Sequence, residues 1–260
     1  MLKLNPLRLH RQSSHEPDVR NEWERMRTLP IDSKPTLALI HTSPSVVPVF
    51  TGLCQKHLPD VRIFHMVDES LIQETIRAGR LRRTTARRVV GHITSAVEAG
   101  ADAVLVTCSS IGQATSLAQQ LFDLPVLRVD EAMAEAAVRQ AGVVGVAATV
   151  RTTLDPTLAL LREKAQEAGR EVKLIECLCE DAFPAVLAGD TAKHDALVSK
   201  ALLEELQGVD LIVLAQASMA RVVEGLPAGA LHVPVLTSPE LAVLRARQAL
   251  QSLEQAEAGD

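Results

Sequence analysis

The sequence predicts an α/β fold made of two similar domains, each with a Rossmann-like parallel sheet. Three observations support this: apolar runs alternate with helical segments, part of the sequence is repeated, and aromatic residues are scarce. Of the 260 residues, 47% are hydrophobic but only 2% are aromatic, so the core is built from Ala, Val, Leu and Ile. A core of this kind suits helices that pack on a parallel sheet.

The elements of the first half follow from hydrophobic runs and turn residues. We expect strands at 36–41, 61–66, 103–107 and 124–130. A helix is expected to begin after Asp68, which can serve as its N-cap, and to end at Gly79. A second helix is expected at about 84–99. Strands that alternate with helices indicate βαβ units and a parallel sheet.

The second half shows the same alternation. We expect strands at 143–149, 171–178, 210–215 and 233–239. We expect helices at 131–142, 157–169, 193–207 and 240–256. Residues 1–35 are expected to form an N-terminal extension, with a short helix near 21–29.

An internal repeat explains this regularity. The segment "GADAVLVTCSSI" at 100–111 aligns without gaps with "GVDLIVLAQASM" at 208–219. "TLALIHTS" pairs with "VVGVAATVR", and "LPVLRVDEAMA" with "VPVLTSPELA", at nearly the same separation. The chain is therefore predicted to contain two copies of one flavodoxin-like unit, a first domain at 36–130 and a second at 131–236.

Composition and missing motifs exclude several classes of partner. A net charge of −5 and the lack of aromatic platforms argue against nucleic acid. No apolar run is long enough to cross a membrane, and the four cysteines show no disulfide spacing, so the cytoplasm is the expected location. No glycine-rich nucleotide-binding motif is present. Cys177 and Cys179 lack a second pair of ligands, so we expect them to pack rather than to bind a metal.

A single thiol marks the candidate site. Cys108 lies where the strand at 103–107 ends, and in the repeat it corresponds to Gln216. The carboxyl ends of parallel strands form the ligand sites of such sheets, so the two residues are expected to face each other across a cleft. The alternative is that Cys108 is a small buried core residue.

Hydroxyl-rich loops surround the same position. Hydroxyls and free backbone N–H groups at helix N-termini bind carboxylates, although Ser and Thr also serve there as ordinary helix caps. The predicted substrate-binding residues are Ser43, Ser45, Ser109, Ser110, Thr149, Arg151, Thr152 and Ser218. Among them, Arg151 would supply a fixed positive charge.

The motifs "GADAVLVTCSSIG", "VGVAATVRTT", "GVDLIVLAQASM" and "PVLTSPELA" resemble the aspartate/glutamate/hydantoin racemase superfamily, which includes maleate isomerase and arylmalonate decarboxylase. The resemblance covers about 36–250. It implies an active site between two α/β domains, a C-terminal segment at 237–260 that returns to the first domain, and a homo-oligomer (a dimer or larger). It also implies catalysis without a cofactor, by two cysteines that move protons on opposite faces of a small carboxylate.

The second thiol of that pattern is replaced. Cys108 matches the first cysteine, but Gln216 occupies the position of the second and cannot exchange a proton at neutral pH. One interpretation is a single-thiol enzyme, in which Gln216 holds the substrate. Another is a racemase whose second acid/base is His41 or, less favourably, His65, although His41 could simply be a satisfied residue at a strand end. A third is a silent carboxylate-binding protein.

The leading hypothesis is a cofactor-independent racemase or isomerase that uses Cys108 for proton transfer on a small carboxylate. The alternative is a decarboxylase or lyase that acts on a substituted malonate with one cysteine. A thiol held beside hydrogen-bond donors is a suitable general acid or base for either reaction.

Overall fold

The computed structural model describes residues 34–227 and 229–257, and the structural statements that follow refer to these residues. The helix expected near 21–29, and all but the last two residues of the expected extension, lie outside them. Within the described residues, no helix has both the length and the apolar character needed to cross a membrane.

Two four-stranded parallel sheets organise the chain, and they share one topology. The strands are β1 Thr36–His41, β2 Arg62–Val67, β3 Ala103–Val106, β4 Val126–Arg128, β5 Val143–Ala148, β6 Lys173–Leu178, β7 Leu211–Leu214 and β8 Val235–Thr237. The first sheet has the order β2-β1-β3-β4, and the second has the order β6-β5-β7-β8. Since each strand of one sheet has its counterpart in the other, the predicted fold class is confirmed.

Helices follow the strands. They are α1 Val47–His57, α2 Glu69–Ala78, α3 Arg83–Glu98, α4 Gly112–Ala118, α5 Glu131–Gln140, α6 Arg151–Glu167, α7 Ala182–Leu187, α8 Thr191–Glu204, α9 Ala220–Glu224 and α10 Ser238–Glu257. Two short 3₁₀ turns connect β3 to α4 and β7 to α9. We call them the cysteine turn, Ser109–Ile111, and the glutamine turn, Ala217–Met219.

Helix ends follow local chemistry, with one exception. As expected, Asp68 caps α2 by accepting a hydrogen bond from the backbone N–H of Ser70, and Gly79 ends the helix at a φ of 65°. The exception is α6, which the sequence places after Pro156 but which begins at Arg151. Proline interrupts only one helical hydrogen bond there, and the buried first turn makes the earlier start favourable.

The core lies on both faces of each sheet. On one face of the first sheet, Leu37, Leu39 and Phe50 pack with Ala242 and Val243 of α10. The C-terminal helix therefore lies against α1 and β3, which belong to the first half. This packing fixes the position of the strand ends from which the candidate site is built.

Candidate active site

Cys108 and Gln216 occupy equivalent backbone positions. Cys108 lies between β3 and the cysteine turn, and Gln216 lies between β7 and the glutamine turn. Their backbone angles are similar: φ is −132° and ψ is 115° for Cys108, and φ is −131° and ψ is 134° for Gln216. The residues just before them are also held alike: Thr107 N donates to Ile40 O at 3.0 Å, and Ala215 N donates to Ala147 O at 2.9 Å. The repeat therefore places a thiol and an amide at matching strand ends.

Hydrogen-bond donors surround the sulfur of Cys108. The side chains of Thr42 and Ser110 and the backbone N–H groups of Ser110 and Ile111 lie beside it, where they favour its thiolate form. Burial raises the pKa of the Cys108 thiol above its ordinary value, while these four donors act in the opposite direction by stabilising the thiolate. The residue is partly exposed. Its raised pKa favours the thiol, which lies beside groups that stabilise the thiolate when it forms.

The amide of Gln216 is held in one orientation. Its Oε1 accepts from Thr149 N at 2.6 Å and from Thr149 Oγ1 at 2.9 Å. A backbone N–H can only donate, so the carbonyl oxygen faces Thr149 and the two amide N–H groups face away from it. Thr42 and Thr149 are counterparts in the repeat, since each directly follows the first strand of its sheet. Thr149 donates to Gln216, and Thr42 lies beside the sulfur of Cys108.

The cysteine turn contacts the second half directly. Ser110 Oγ lies 2.8 Å from Thr153 Oγ1, and Ser109 Oγ donates to Ala215 O at 3.5 Å. Both serines are buried. The cysteine turn therefore meets the start of α6 and the end of β7, which brings Cys108 into the same region as the loop that carries Gln216.

A buried hydroxyl at the start of α6 has no partner. Thr152 Oγ1 is buried without a hydrogen bond among the described residues, and its residue is only 9% exposed. It lies in the first turn of α6, a helix of 17 residues whose N-cap, Val150, offers no side-chain cap. Free backbone N–H groups and an unpaired hydroxyl at the start of a long helix favour an anion.

His41 lies deeper than the other candidates. His41 Nδ1 is hydrogen-bonded with Thr107 Oγ1 at 2.8 Å, and His41 Nε2 is hydrogen-bonded with His65 Nδ1 at 2.8 Å. Desolvation by burial, followed by the proximity of His65, lowers the pKa of His41 from 6.5 to about 4. The imidazole is neutral, fully buried and bonded to protein at both nitrogens.

Other predicted binding residues lie nearer the surface or already have partners within the protein. Ser43 and Ser45 hydrogen-bond to each other at 2.8 Å at the start of a short turn. Ser218 is exposed in the glutamine turn. Arg151 is exposed and donates to Glu176 at 2.9 Å, with Asp155 at 3.6 Å, so its charge is balanced by neighbouring carboxylates.

Sequence reasoning missed two hydroxyl residues of the site. Thr42 lies beside the sulfur of Cys108, and Thr153 joins the cysteine turn to α6. The repeat offered a signal for Thr42, because the alignment pairs it with Thr149. No sequence pattern pointed to Thr153, which contacts Ser110 only through the packing of α6 against the cysteine turn.

Two cavities among the described residues lie away from Cys108 and Gln216. One, of about 450 Å³, is lined by residues of α1 and β2 that include Thr51, Cys54 and His65. Another, of about 210 Å³, is lined by residues near Pro59 and Arg247. Neither includes Cys108 or Gln216, so the candidate site is defined by its polar groups. No cluster of three or more potential metal-ligating side chains occurs among the described residues.

Comparison with known proteins agrees with the two-sheet fold. The model of the Asp/Glu/Hydantoin racemase family matches residues 39–246. No protein of curated function matches the sequence significantly. Among solved structures, glutamate racemase from Francisella tularensis, determined with D-glutamate, is 15% identical with a TM-score of 0.68 and covers 86% of this chain and 83% of its own.

Two further structures show the same fold. A glutamate racemase from Bacillus anthracis is 20% identical with a TM-score of 0.63, and the match covers 84% of this chain and 82% of that one. Allantoin racemase from Klebsiella pneumoniae is 18% identical with a TM-score of 0.61, over 85% and 89%. The family match spans both sheets and both turns described above, and on that ground the chain belongs to the Asp/Glu/Hydantoin racemase family.

Proposed function

We propose that this protein is a cofactor-independent racemase or isomerase of a small carboxylate, with Cys108 as the group that transfers the proton. Family membership supports the reaction class. The observation that carries the proposal is the set of four donors around the Cys108 sulfur, at the strand end equivalent to that of Gln216. A sulfur that must alternate between thiol and thiolate needs such donors in the charged state.

The substrate carboxylate binds at the start of α6 in this mechanism. The hydroxyl of Thr152 has no protein partner, and the first backbone N–H groups of the helix favour negative charge. The amide N–H groups of Gln216 donate to a carboxylate oxygen. These donors stabilise the enediolate that forms when the neighbouring carbon loses its proton.

Proton transfer then runs between carbon and sulfur. In the thiolate state, Cys108 takes the proton from the carbon beside the carboxylate, and the electrons of the C–H bond move into the enediolate. Racemisation needs the proton on the opposite face, so the planar enediolate turns its other face towards the sulfur before the thiol returns a proton to that carbon. Gln216 donates hydrogen bonds but supplies no proton, so all proton transfer to carbon occurs from the side of Cys108.

A decarboxylase is the second candidate, favoured by the raised pKa of Cys108. A thiol that rests protonated is ready to act as an acid. With a substituted malonate, the bond to one carboxylate breaks, carbon dioxide leaves, and the resulting enediolate takes the proton of Cys108. One thiol is sufficient for this reaction, in agreement with Gln216 in the second half.

Proton exchange in heavy water tests the proposal. The protein is incubated with aspartate, glutamate and substituted malonates, and deuterium on carbon and released carbon dioxide are followed by NMR. We expect Cys108→Ser to lose the exchange by at least about a hundredfold. The matched variant Cys54→Ala, which removes another buried thiol of the first half, should retain it.

Each outcome has a distinct meaning. Deuterium on carbon with inverted configuration, measured by chiral chromatography, and without loss of carbon dioxide supports the isomerase, and release of carbon dioxide supports the decarboxylase. Exchange that persists in Cys108→Ser refutes the role of Cys108. Binding of these carboxylates with no turnover of any of them refutes catalysis and indicates a binding protein.

A further inference from the structure

A buried ion pair lies beside the cysteine turn. Arg128, the last residue of β4, donates from Nε to Asp130 Oδ1 at 3.0 Å and from Nη2 to Asp130 Oδ2 at 3.0 Å. Its Nη1 donates to Ser116 Oγ of α4 at 2.9 Å. The side chains of Arg128 and Asp130 are 4% and 0% exposed. A guanidinium group that is hydrogen-bonded through all three nitrogens and shielded from water has little freedom to move.

The guanidinium group of Arg128 lies close to the backbone of Gly112. A Cβ atom at Gly112 would lie 2.6 Å from Nη2 and 2.8 Å from Cζ of Arg128, which is closer than nonbonded atoms approach. The backbone of Gly112 is ordinary right-handed helix, with a φ of −58°, so glycine is needed for space rather than for conformation. The guanidinium group therefore packs directly against the first residue of α4.

This contact lies one residue from the donors of the active thiol. Gly112 ends the cysteine turn, and its backbone N–H donates to Ser109 O. The same turn is tied to Cys108, because Ile111 N donates to Cys108 O at 3.3 Å, and the N–H groups of Ser110 and Ile111 lie beside its sulfur. A shift of Gly112 would move these two N–H groups relative to the sulfur.

We infer that the Arg128–Asp130 ion pair positions Cys108, by supporting the turn whose backbone N–H groups surround its sulfur. The inference rests on the proposed role of Cys108 as the reacting thiol. Arg128 and Asp130 act through the turn and not on the substrate. A cation alone at the start of a helix is unfavourable, and Asp130 compensates for it, so the pair supports the turn without adding net charge.

The repeat provides an internal comparison. Arg128 pairs with Val106 in register, and Thr237 pairs with Leu214 in the same way, so Thr237 is the counterpart of Arg128. Ala220 is the counterpart of Gly112, because each directly follows its turn. The half that carries Gln216 thus lacks both the guanidinium group and the glycine. The guanidinium group and the glycine therefore occur together in the half that carries the thiol.

Thiol alkylation tests this inference without a substrate. The rate of Cys108 modification by iodoacetamide is measured against pH in the full-length protein, with peptide mass spectrometry to separate Cys108 from the other cysteines. We expect Gly112→Ala to move the midpoint upward by about one pH unit, which slows alkylation about tenfold below the midpoint. Loss of two N–H donors to the thiolate is the physical reason.

A double variant isolates the contact. In the Arg128→Met background, which has no guanidinium group, adding Gly112→Ala should change the rate less than about twofold. The control Arg245→Met removes another arginine, which pairs with Glu135 away from the turn, and should leave the profile unchanged. Ala220→Gly, the matched change in the second half, should also leave it unchanged.

An unchanged profile in folded Gly112→Ala overturns the inference, as do fully additive effects in the double variant. If Gly112→Ala does not fold, Arg128→Lys is the deciding variant. Lysine keeps the positive charge but lacks the planar guanidinium group that makes the paired hydrogen bonds. An upward shift in Arg128→Lys then supports the inference, and an unchanged profile overturns it. Since alkylation needs no substrate, this result is independent of the deuterium exchange that tests the proposed function.

Discussion

Replacing His41 by glutamine tests whether this imidazole is a buried, neutral part of the fold. Burial lowers its pKa from 6.5 to about 4, so the unfolded chain binds a proton that the folded chain excludes between these values. The contribution of His41 to stability is fully present above pH 6.5 and is lost as the pH falls towards 4. At pH 5 the loss is at most about 2 kcal/mol, from 1.36 kcal/mol for each pH unit.

Urea unfolding at pH 7.5 and pH 5 measures this loss. Wild type and His41→Gln are compared at each pH, because other groups titrate in both proteins and cancel in the difference. At pH 7.5 the variant should be less stable, since it loses the hydrogen bonds to Thr107 and His65. At pH 5 the gap should be smaller by about 2 kcal/mol, because glutamine does not titrate.

His232→Gln is the control, since His232 is exposed. It should lose the same stability as wild type between the two pH values. If His41→Gln also loses the same stability as wild type, the imidazole is free to take a proton in the folded state, and His41 becomes a candidate for acid–base catalysis again.

Three further variants test other parts of the site. Asp130→Asn should lower the free energy of unfolding by about 3–5 kcal/mol, measured by urea, because it leaves the Arg128 charge buried without its partner; a loss near zero would contradict the burial of the pair. Gln216→Leu should lower kcat/KM by about 10–100-fold through loss of hydrogen bonds to a charged group, and unchanged kinetics would remove Gln216 from the site. Thr152→Val should weaken carboxylate binding, measured by calorimetry, without lowering stability, since its hydroxyl bonds to nothing in the protein; unweakened binding would place the carboxylate elsewhere.

The fold was predictable because its signals are local and repeated. Apolar runs marked the strands, and the repeat indicated two sheets of one topology, which the structure confirms. The start of α6 was not predictable, because the burial of Thr152 and Thr153 against the cysteine turn outweighs the effect of Pro156. That burial depends on packing between the two halves.

The site was predictable only in part, for a related reason. The repeat alone pairs Cys108 with Gln216. The charge of Arg151 is balanced by Glu176 of β6. The guanidinium group of Arg128 packs against Gly112, the first residue of α4. Such contacts join residues that are distant in sequence, so composition and spacing do not reveal them.

An experimental structure with a bound substituted malonate or amino acid tests the central claim most directly. The account predicts that the carbon beside the carboxylate lies within about 3.5 Å of the Cys108 sulfur. It also predicts that the carboxylate contacts the Thr152 hydroxyl and the Gln216 amide. A ligand bound away from the sulfur, or a sulfur turned into the core with the ligand present, would contradict it.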